Sequence, residues 1–227
     1  MPILEKPKSQ SPILRGRSSN QDVGTPKAFL RVVQRIFGPI VFDLAASDRN
    51  RALKSRSCYF TPEDDALSPD TVWPRHRRRK HPEITEDNPY LNWNWLNPEF
   101  ANIYPWAART QYEAENRRVD TLFHVPASVD THWWAEYLEG KAWWISLKGR
   151  LIYRGAKQGY PRPIIQAIFS DHWRPHDGLR ELGFLGYSGD NANRPWPTTP
   201  SYLGQLDWKH VIEIISKERE DGPDDAA

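Results

Sequence analysis

A four-residue turn near the middle of the chain combines side chains that could act on an amino group. In WNWLNPEF, residues 93–100, an apolar run ends at Asn97-Pro98-Glu99-Phe100. An exocyclic amino group of a nucleobase is a poor nucleophile, so a site that uses it needs acceptors for both N–H bonds. Asn97 Oδ1 and the Pro98 carbonyl could supply them from one rigid turn, and Phe100 could stack on the base. The alternative is an ordinary turn that ends a strand, with Phe100 in the core.

A second group of polar residues follows an earlier apolar run. In PIVFDLAAS, Asp43 precedes the small residues Ala45 and Ala46, which allow a ligand to approach the backbone closely. Asp64-Asp65 begins 21 positions after Asp43, and nucleotide-binding folds hold a ribose with an acid at about that spacing. The alternative is that Asp43 caps a helix and that Asp64-Asp65 forms a turn.

Alternating helical and strand patterns predict the elements that would position these residues. Apolar residues recur at helical spacing in KAFLRVVQRIFG, where we expect Thr25 to cap the helix, Pro26 to open it and Gly38 to end it. Predicted strands cover residues 40–44, LNWNWL, 121–128, one or two stretches of KAWWISLKGRLIY, and 163–169, with helices at about 104–116 and in HWWAEYL. CYFTPEDDALS predicts a further strand or extended segment. This alternation indicates an α/β sheet covered on both faces.

Composition limits the classes of function. The chain has 227 residues, a net charge of +2 and a single cysteine, Cys58, so attraction to nucleic acid must come from local clusters and no disulfide framework is possible. The seven histidines form no HExxH motif, and no GxxxxGK[ST] loop is present, which argues against a metal site and a P-loop. Without a secretory signal or a bilayer-length apolar run, we expect a soluble intracellular protein.

The domain organisation follows from shifts in composition. Residues 1–22 predict a flexible arm, residues 23–175 a compact domain, and residues 176–227 an extension with one amphipathic helix and an acidic tail. Residues 73–92 predict an inserted basic loop. Its Arg77, Arg78 and Arg79 could contact phosphates, and the alternative is a solvated loop with incidental charge.

The order of these features carries a family resemblance. TPKAFL, FDLAASDRNRA, CYFTPEDDAL, NPEF, LFHVPASVDTHWW and LKGRLIY follow one another over roughly residues 25–170. This series resembles the phage-type DNA N6-adenine methyltransferase family. The resemblance implies a Rossmann-like methyltransferase fold with a mostly parallel central sheet and helices on both faces. It also implies S-adenosyl-L-methionine (SAM) as donor, adenine in DNA as acceptor, and a phage or prophage protein acting in the bacterial cytoplasm.

The resemblance also implies roles for individual residues. Asn97, Pro98, Glu99 and Phe100 would be the catalytic turn. The SAM pocket would be lined by Thr25, Pro26, Asp43, Ala45 and Ala46, and Asp64 or Asp65 would meet the adenosine part of SAM. Arg150 in LKGRLIY could reach DNA or form a surface salt bridge.

The turn departs from the family at one position. The family's turn reads Asp/Asn/Ser-Pro-Pro-aromatic, whereas this chain has Glu99 in place of the second proline. This leaves two alternatives to adenine methylation. One is a non-catalytic DNA-binding relative, and the other is an enzyme on the same scaffold that modifies cytosine N4 or an already modified base.

Overall fold

A seven-stranded sheet runs through the part of the chain that the structure, a computed structural model, describes: residues 23–47, 50–76, 92–175, 179, 184–185 and 197–220. The strands are β1 (Ile40–Asp43), β2 (Trp93–Leu96), β3 (Thr121–Pro126), β4 (Trp143–Leu147), β5 (Ile164–Phe169), β6 (Phe184–Leu185) and β7 (Tyr202–Leu206). The helices are α1 (Lys27–Phe37), α2 (Ile103–Arg117), α3 (His132–Tyr137) and α4 (Trp208–Glu220). The predicted arm, residues 1–22, lies outside the described residues, as does residue range 77–91 of the predicted loop.

The sheet is mixed, in the order β1-β2-β3-β5-β4-β7-β6. Three neighbouring pairs are parallel, β1–β2, β2–β3 and β4–β7, and three are antiparallel, β3–β5, β4–β5 and β6–β7. The α/β class is therefore correct, but the expected mostly parallel arrangement is not confirmed. A parallel pairing of consecutive strands needs a crossover connection, which is usually a helix. The connection between β4 and β5 contains no helix, and β5 therefore runs antiparallel to β4.

Helices cover both faces of the sheet. Successive strand residues point to opposite faces, so Leu122 packs in one core with α1 and α4, whereas Phe123 packs in the other with α2 and α3. Each of the apolar positions predicted for α1, Phe29, Leu30, Val33, Ile36 and Phe37, is buried. Gly38 ends this helix with φ 102° and donates its N–H to the Gln34 carbonyl, as predicted.

The start of α1 differs from the expectation. Pro26 occupies the N-cap position and no side chain caps the helix, so the prediction that Thr25 is the cap is wrong. Thr25 Oγ1 instead accepts a hydrogen bond from Asn97 Nδ2 at 3.1 Å. The hydroxyl cannot be recognised as a partner of residue 97 from local sequence, because the contact forms only when α1 packs beside the end of β2.

The C-terminal part of the chain extends the same sheet. β7 pairs parallel with β4, and α4 packs on α1 through the apolar face that includes Trp208, Val211 and Ile212. Arg35 on α1 and Glu218 on α4 form an ion pair of 2.8 Å. The domain boundary at residue 175 stays a prediction, and the two strands beyond it, β6 and β7, are part of the sheet.

The segment between β1 and β2 is irregular where the structure describes it. Tyr59 forms an isolated parallel bridge with Asp43, and short 3₁₀ helices precede and follow it at Arg56–Cys58 and Pro62–Asp64. The predicted extended segment is therefore reduced to one bridge. This bridge places the residues after Tyr59 beside the residues after Asp43, at the carboxyl edge of β1.

Candidate functional site

A cavity of about 710 Å³ lies at the carboxyl ends of β1 and β2. Parallel strands offer ligands this edge, because the loops that follow them diverge there. Four stretches of chain contribute most of the wall, together with Val23 and Trp106: residues 44–47 with Asn50, residues 61–62 and 65–67, residues 97–100, and Tyr153, Ala156 and residues 158–161. The two segments that the sequence predicted to share a pocket, after Asp43 and around Asp64-Asp65, both border it.

Asn97 lines this wall and has a buried side-chain oxygen that no described residue satisfies. Its Nδ2 donates to Thr25 Oγ1, which orients the amide. Its Oδ1 is buried and accepts no hydrogen bond from any residue that the structure describes. A buried acceptor left unsatisfied costs about 1–3 kcal/mol, so a donor on a bound ligand would recover that free energy.

The two residues after Pro98 differ in exposure. Glu99 is exposed and has φ −61° and ψ 120°. That φ is the value to which a proline ring restricts the backbone, so the glutamate follows the path that a second proline would take. Phe100 is half-buried and lines the cavity, with its ring 6.1 Å from Tyr153 and 5.2 Å from Tyr160, both edge-on.

Asp43 supports the cavity wall from behind. Its side chain is 3% exposed and does not line the cavity. Oδ1 accepts the N–H of Ala45 at 3.3 Å, and Oδ2 accepts the N–H of Ala52 at 2.8 Å. Burial raises the pKa of Asp43 to about 6, against the lowering effect of these two hydrogen bonds. Ala45 and Ala46 line the cavity themselves. Thr25 and Pro26, which the family resemblance also placed at the SAM pocket, do not line the cavity.

Asp64 and Asp65 differ in their contacts and in their access to the cavity. Asp64 Oδ2 accepts the N–H of Thr61 at 2.7 Å and pairs with Arg56 at 2.7 Å. These contacts, the Thr61 N–H first, hold the pKa of Asp64 below its usual range. Asp65 has a left-handed φ of 41° and lines the cavity, with its carbonyl held by Thr71 Oγ1 at 2.8 Å. Asp65 is therefore the member of the pair that a ligand can reach.

Arg154, which no sequence pattern singled out, joins three of the segments around the cavity. Its N–H donates to the Gly24 carbonyl at 2.7 Å, and its Nη2 donates to the carbonyls of Asn50 and Arg51 at 3.1 Å each. A Cβ on Gly24 would lie 2.7 Å from Arg154 Cζ. A glycine is therefore required at position 24 for the guanidinium to lie where it does.

Two tyrosines at the wall were also missed by the sequence reasoning. The ring centroids of Tyr153 and Tyr160 are 6.2 Å apart, and with Phe100 these two rings form an aromatic cluster beside the turn. Tyr153 Oη is 2.9 Å from Nε2 of His124, whose pKa burial lowers to about 3, so this histidine is neutral. LKGRLIY had carried part of the family resemblance, but its tyrosine gave no signal that distinguished it from a core residue.

The predicted DNA-contacting arginines fall in two places. Arg150 is exposed, outside the cavity lining, with its Cβ beside Gly159, and it forms no salt bridge among the described residues. Arg77, Arg78 and Arg79 lie outside the residues that the structure describes. Within the described part of the chain, no three metal-ligating side chains lie together, and no helix is both long and apolar enough to cross a membrane.

The fold and site define an α/β protein with a ligand cavity at the carboxyl edge of its parallel strands, next to an Asn-Pro turn. The chain belongs to the DNA N-6-adenine-methyltransferase (Dam) family, whose model matches residues 16–162, more than half of the chain. This match confirms the family resemblance seen in the sequence. No curated protein and no solved structure gives a significant match.

Proposed function

We propose that the protein transfers a methyl group from SAM to N6 of adenine in DNA. The observation that carries this proposal is the buried Oδ1 of Asn97, a residue of the cavity wall, because this oxygen accepts no hydrogen bond from the described part of the chain. It lies in a turn that matches the family's catalytic turn at three of four positions, with Glu99 in place of the second proline. The parallel unit β1–β2–β3 would then be the Rossmann-like part of the mixed sheet.

The cavity wall suits the proposed cofactor. A volume of about 710 Å³ is in the range of small-molecule sites. Ala45 and Ala46 present small side chains that let a ligand approach the backbone, and the Asp65 carboxylate can accept hydrogen bonds from ribose hydroxyls. SAM would supply an electrophilic methyl group on a sulfonium. Asp43 would act indirectly, because its oxygens hold the N–H groups of Ala45 and Ala52.

The turn residues can position and activate the amino group of the base. Asn97 Oδ1 and the Pro98 carbonyl would accept its two N–H bonds, so that the nitrogen lone pair is directed at the methyl carbon. Phe100 would stack on the face of the base, a contact worth about 1–3 kcal/mol. The base must leave the duplex to reach this cavity, and its extrusion costs a few kcal/mol. Catalysis then rests on orientation and on acceptors that favour the developing positive charge.

Glu99 is compatible with this role. Its φ of −61° keeps the turn on the path of a proline, and its side chain is exposed. The replacement therefore changes charge and stiffness without redirecting Asn97 or Phe100. DNA would be held by basic residues around the cavity, and Arg77, Arg78 and Arg79 remain predicted phosphate contacts from the sequence.

A methyl-transfer assay tests the proposal directly. Purified protein is incubated with isotope-labelled SAM and duplex DNA of mixed sequence, and the digested nucleosides are resolved by mass spectrometry. We expect labelled N6-methyl-2′-deoxyadenosine from the wild type and roughly 10²–10³-fold slower labelling by Asn97→Ala, while calorimetry shows SAM binding to both. Label on cytosine N4 would replace the proposed acceptor base. SAM binding without transfer to any DNA, modified or not, would favour a non-catalytic relative.

A further inference from the structure

The connection between β4 and β5 is a strongly basic segment beside the cavity. Residues 148–162 contain five basic side chains, Lys148, Arg150, Arg154, Lys157 and Arg162, and no acidic one. β4 and β3 are both antiparallel to β5, so they run in the same direction. The connection that leaves β4 therefore lies at the same edge of the sheet as the carboxyl end of β3, next to the cavity.

Protein contacts engage two of the five side chains. Lys148 pairs with Asp207 at 2.7 Å, and Arg154 donates to the carbonyls of Asn50 and Arg51. The other three, Arg150, Lys157 and Arg162, are exposed. None of the three forms an ion pair with another residue in the described part of the chain. Three positive charges that no described residue neutralises are therefore available to an anionic partner.

These three residues border the cavity closely. Residues 158–161 form part of its wall, and Lys157 and Arg162 flank that run on either side. Arg150 packs against the same run, since a Cβ on Gly159 would lie 2.8 Å from Arg150 Cβ. The charge of Arg162 also acts on Tyr160, where it opposes the rise in pKa that burial causes.

We propose that Arg150, Lys157 and Arg162 form a phosphate-binding surface, here called the connector surface, that holds the DNA backbone next to the extruded base. This inference rests on the proposed function. The distribution of charge around the cavity supports this inference. The connector surface is positively charged, whereas Glu99 and Asp65, which are also exposed at the cavity, carry carboxylates. Those carboxylates repel a polyanion, so a strand that delivers its base to Phe100 is held from the side of the connector surface.

The test compares two matched triple variants. In the first, Arg150, Lys157 and Arg162 are each changed to Gln. In the control, Arg118, Lys141 and Arg174 are each changed to Gln, which removes the same formal charge. These are also exposed, but they lie at the opposite edge of the sheet, near the ends of α2, α3 and β5. Unlike the first three they have partners, since Arg118 pairs with Asp171 and the other two donate to the carbonyls of Glu136 and Trp173. Duplex DNA binding is measured by fluorescence anisotropy from 50 to 200 mM salt, SAM binding by calorimetry, and folding by circular dichroism.

We expect the first triple to lower the slope of log K against log salt by about 2.7, at 0.9 per lost phosphate contact. Its loss of DNA affinity would then be about 40-fold greater at 50 mM than at 200 mM salt. The control triple should keep the wild-type slope, and both should keep wild-type SAM affinity. The single changes should each account for about one third of the lost slope.

The outcomes separate this inference from the proposed function. A wild-type slope in the first triple, or an equal reduction in both triples, overturns the connector surface while methyl transfer by the wild type stands. A selective reduction in the first triple supports the surface even if no base is methylated, because only binding is measured. A wild-type protein that binds no DNA at any salt concentration overturns both.

Discussion

Asn97 and Thr25, 72 positions apart in the chain, are joined by a hydrogen bond of 3.1 Å from Nδ2 to Oγ1. In this orientation of the amide Nδ2 is used internally, and Oδ1 is buried and accepts no hydrogen bond from the described residues. The N-terminal end of α1 thereby orients the turn that follows β2.

Asn97→Ala should lower the rate of methyl transfer by roughly 10²–10³-fold, the size seen when one group that stabilises transition-state charge is removed. SAM affinity should change little, since the acceptor acts on the base. Asn97→Asp is the matched control, because it keeps an oxygen acceptor and can accept from the Thr25 hydroxyl. Single-turnover kinetics measures the step. An equal loss in the alanine and aspartate variants would contradict an acceptor role.

Glu99→Pro should leave folding unchanged and keep or raise the rate of transfer. The backbone at residue 99 already has φ −61°, so the proline ring fits, and the change removes a negative charge that faces a polyanion. Glu99→Gln separates the two effects by removing the charge alone. Loss of activity in both variants would mean that the carboxylate itself is used on the substrate.

Gly24→Ala should destabilise the protein by about 1–3 kcal/mol, because the new Cβ overlaps the guanidinium of Arg154. It should also weaken SAM binding, since Arg154 connects residues 24, 50 and 51 at the cavity. In a double-mutant cycle, Arg154→Ala removes the guanidinium that the Cβ of Ala at position 24 would overlap. Gly24→Ala should therefore cost less free energy of unfolding in that background. Urea denaturation measures the cycle, and strict additivity would refute the contact.

Asp43 should make the stability of the fold fall as pH rises between about 4 and 6. Burial raises its folded-state pKa from 3.8 to about 6, so in that window the native state binds more protons than the unfolded state. The free energy of unfolding then decreases with pH, by a total on the order of 3 kcal/mol for this group. Asp43→Asn should remove this component.

The check for Asp43 is a difference measurement. Urea denaturation of wild type and Asp43→Asn at several pH values from 4 to 7 gives the two free-energy profiles. The wild type should lose stability relative to the variant as pH rises, and the difference should level off above the folded-state pKa. A difference that is constant across the window would mean that Asp43 titrates normally.

The elements around the site could be predicted from local patterns. The apolar spacing of KAFLRVVQRIFG is visible within eleven residues of chain, and α1 forms there with its predicted face buried. The short apolar runs before Asp43 and Asn97 became neighbouring parallel strands, β1 and β2. The family was also identified from residue order alone, since catalytic turns and their flanking strands are contiguous stretches.

Other features depended on contacts between distant parts of the chain. The direction of β5 and the pairing of β7 with β4 follow from how the chain returns to the sheet, and apolar periodicity is the same in either direction. Likewise, only packing decides that Asp65 rather than Asp64 reaches the cavity, or that Arg154 meets Gly24.

The amino-acid sequence by itself therefore determined the four helices, the strands β1 to β5, the family, and the turn that follows β2, but not β6 and β7. The tertiary structure decided which polar atoms are consumed internally and which remain for a ligand. The physical reason is that secondary structure depends on side-chain periodicity within a few residues. Hydrogen-bond satisfaction of a buried group depends instead on whichever distant segment packs against it, as Thr25 does against Asn97.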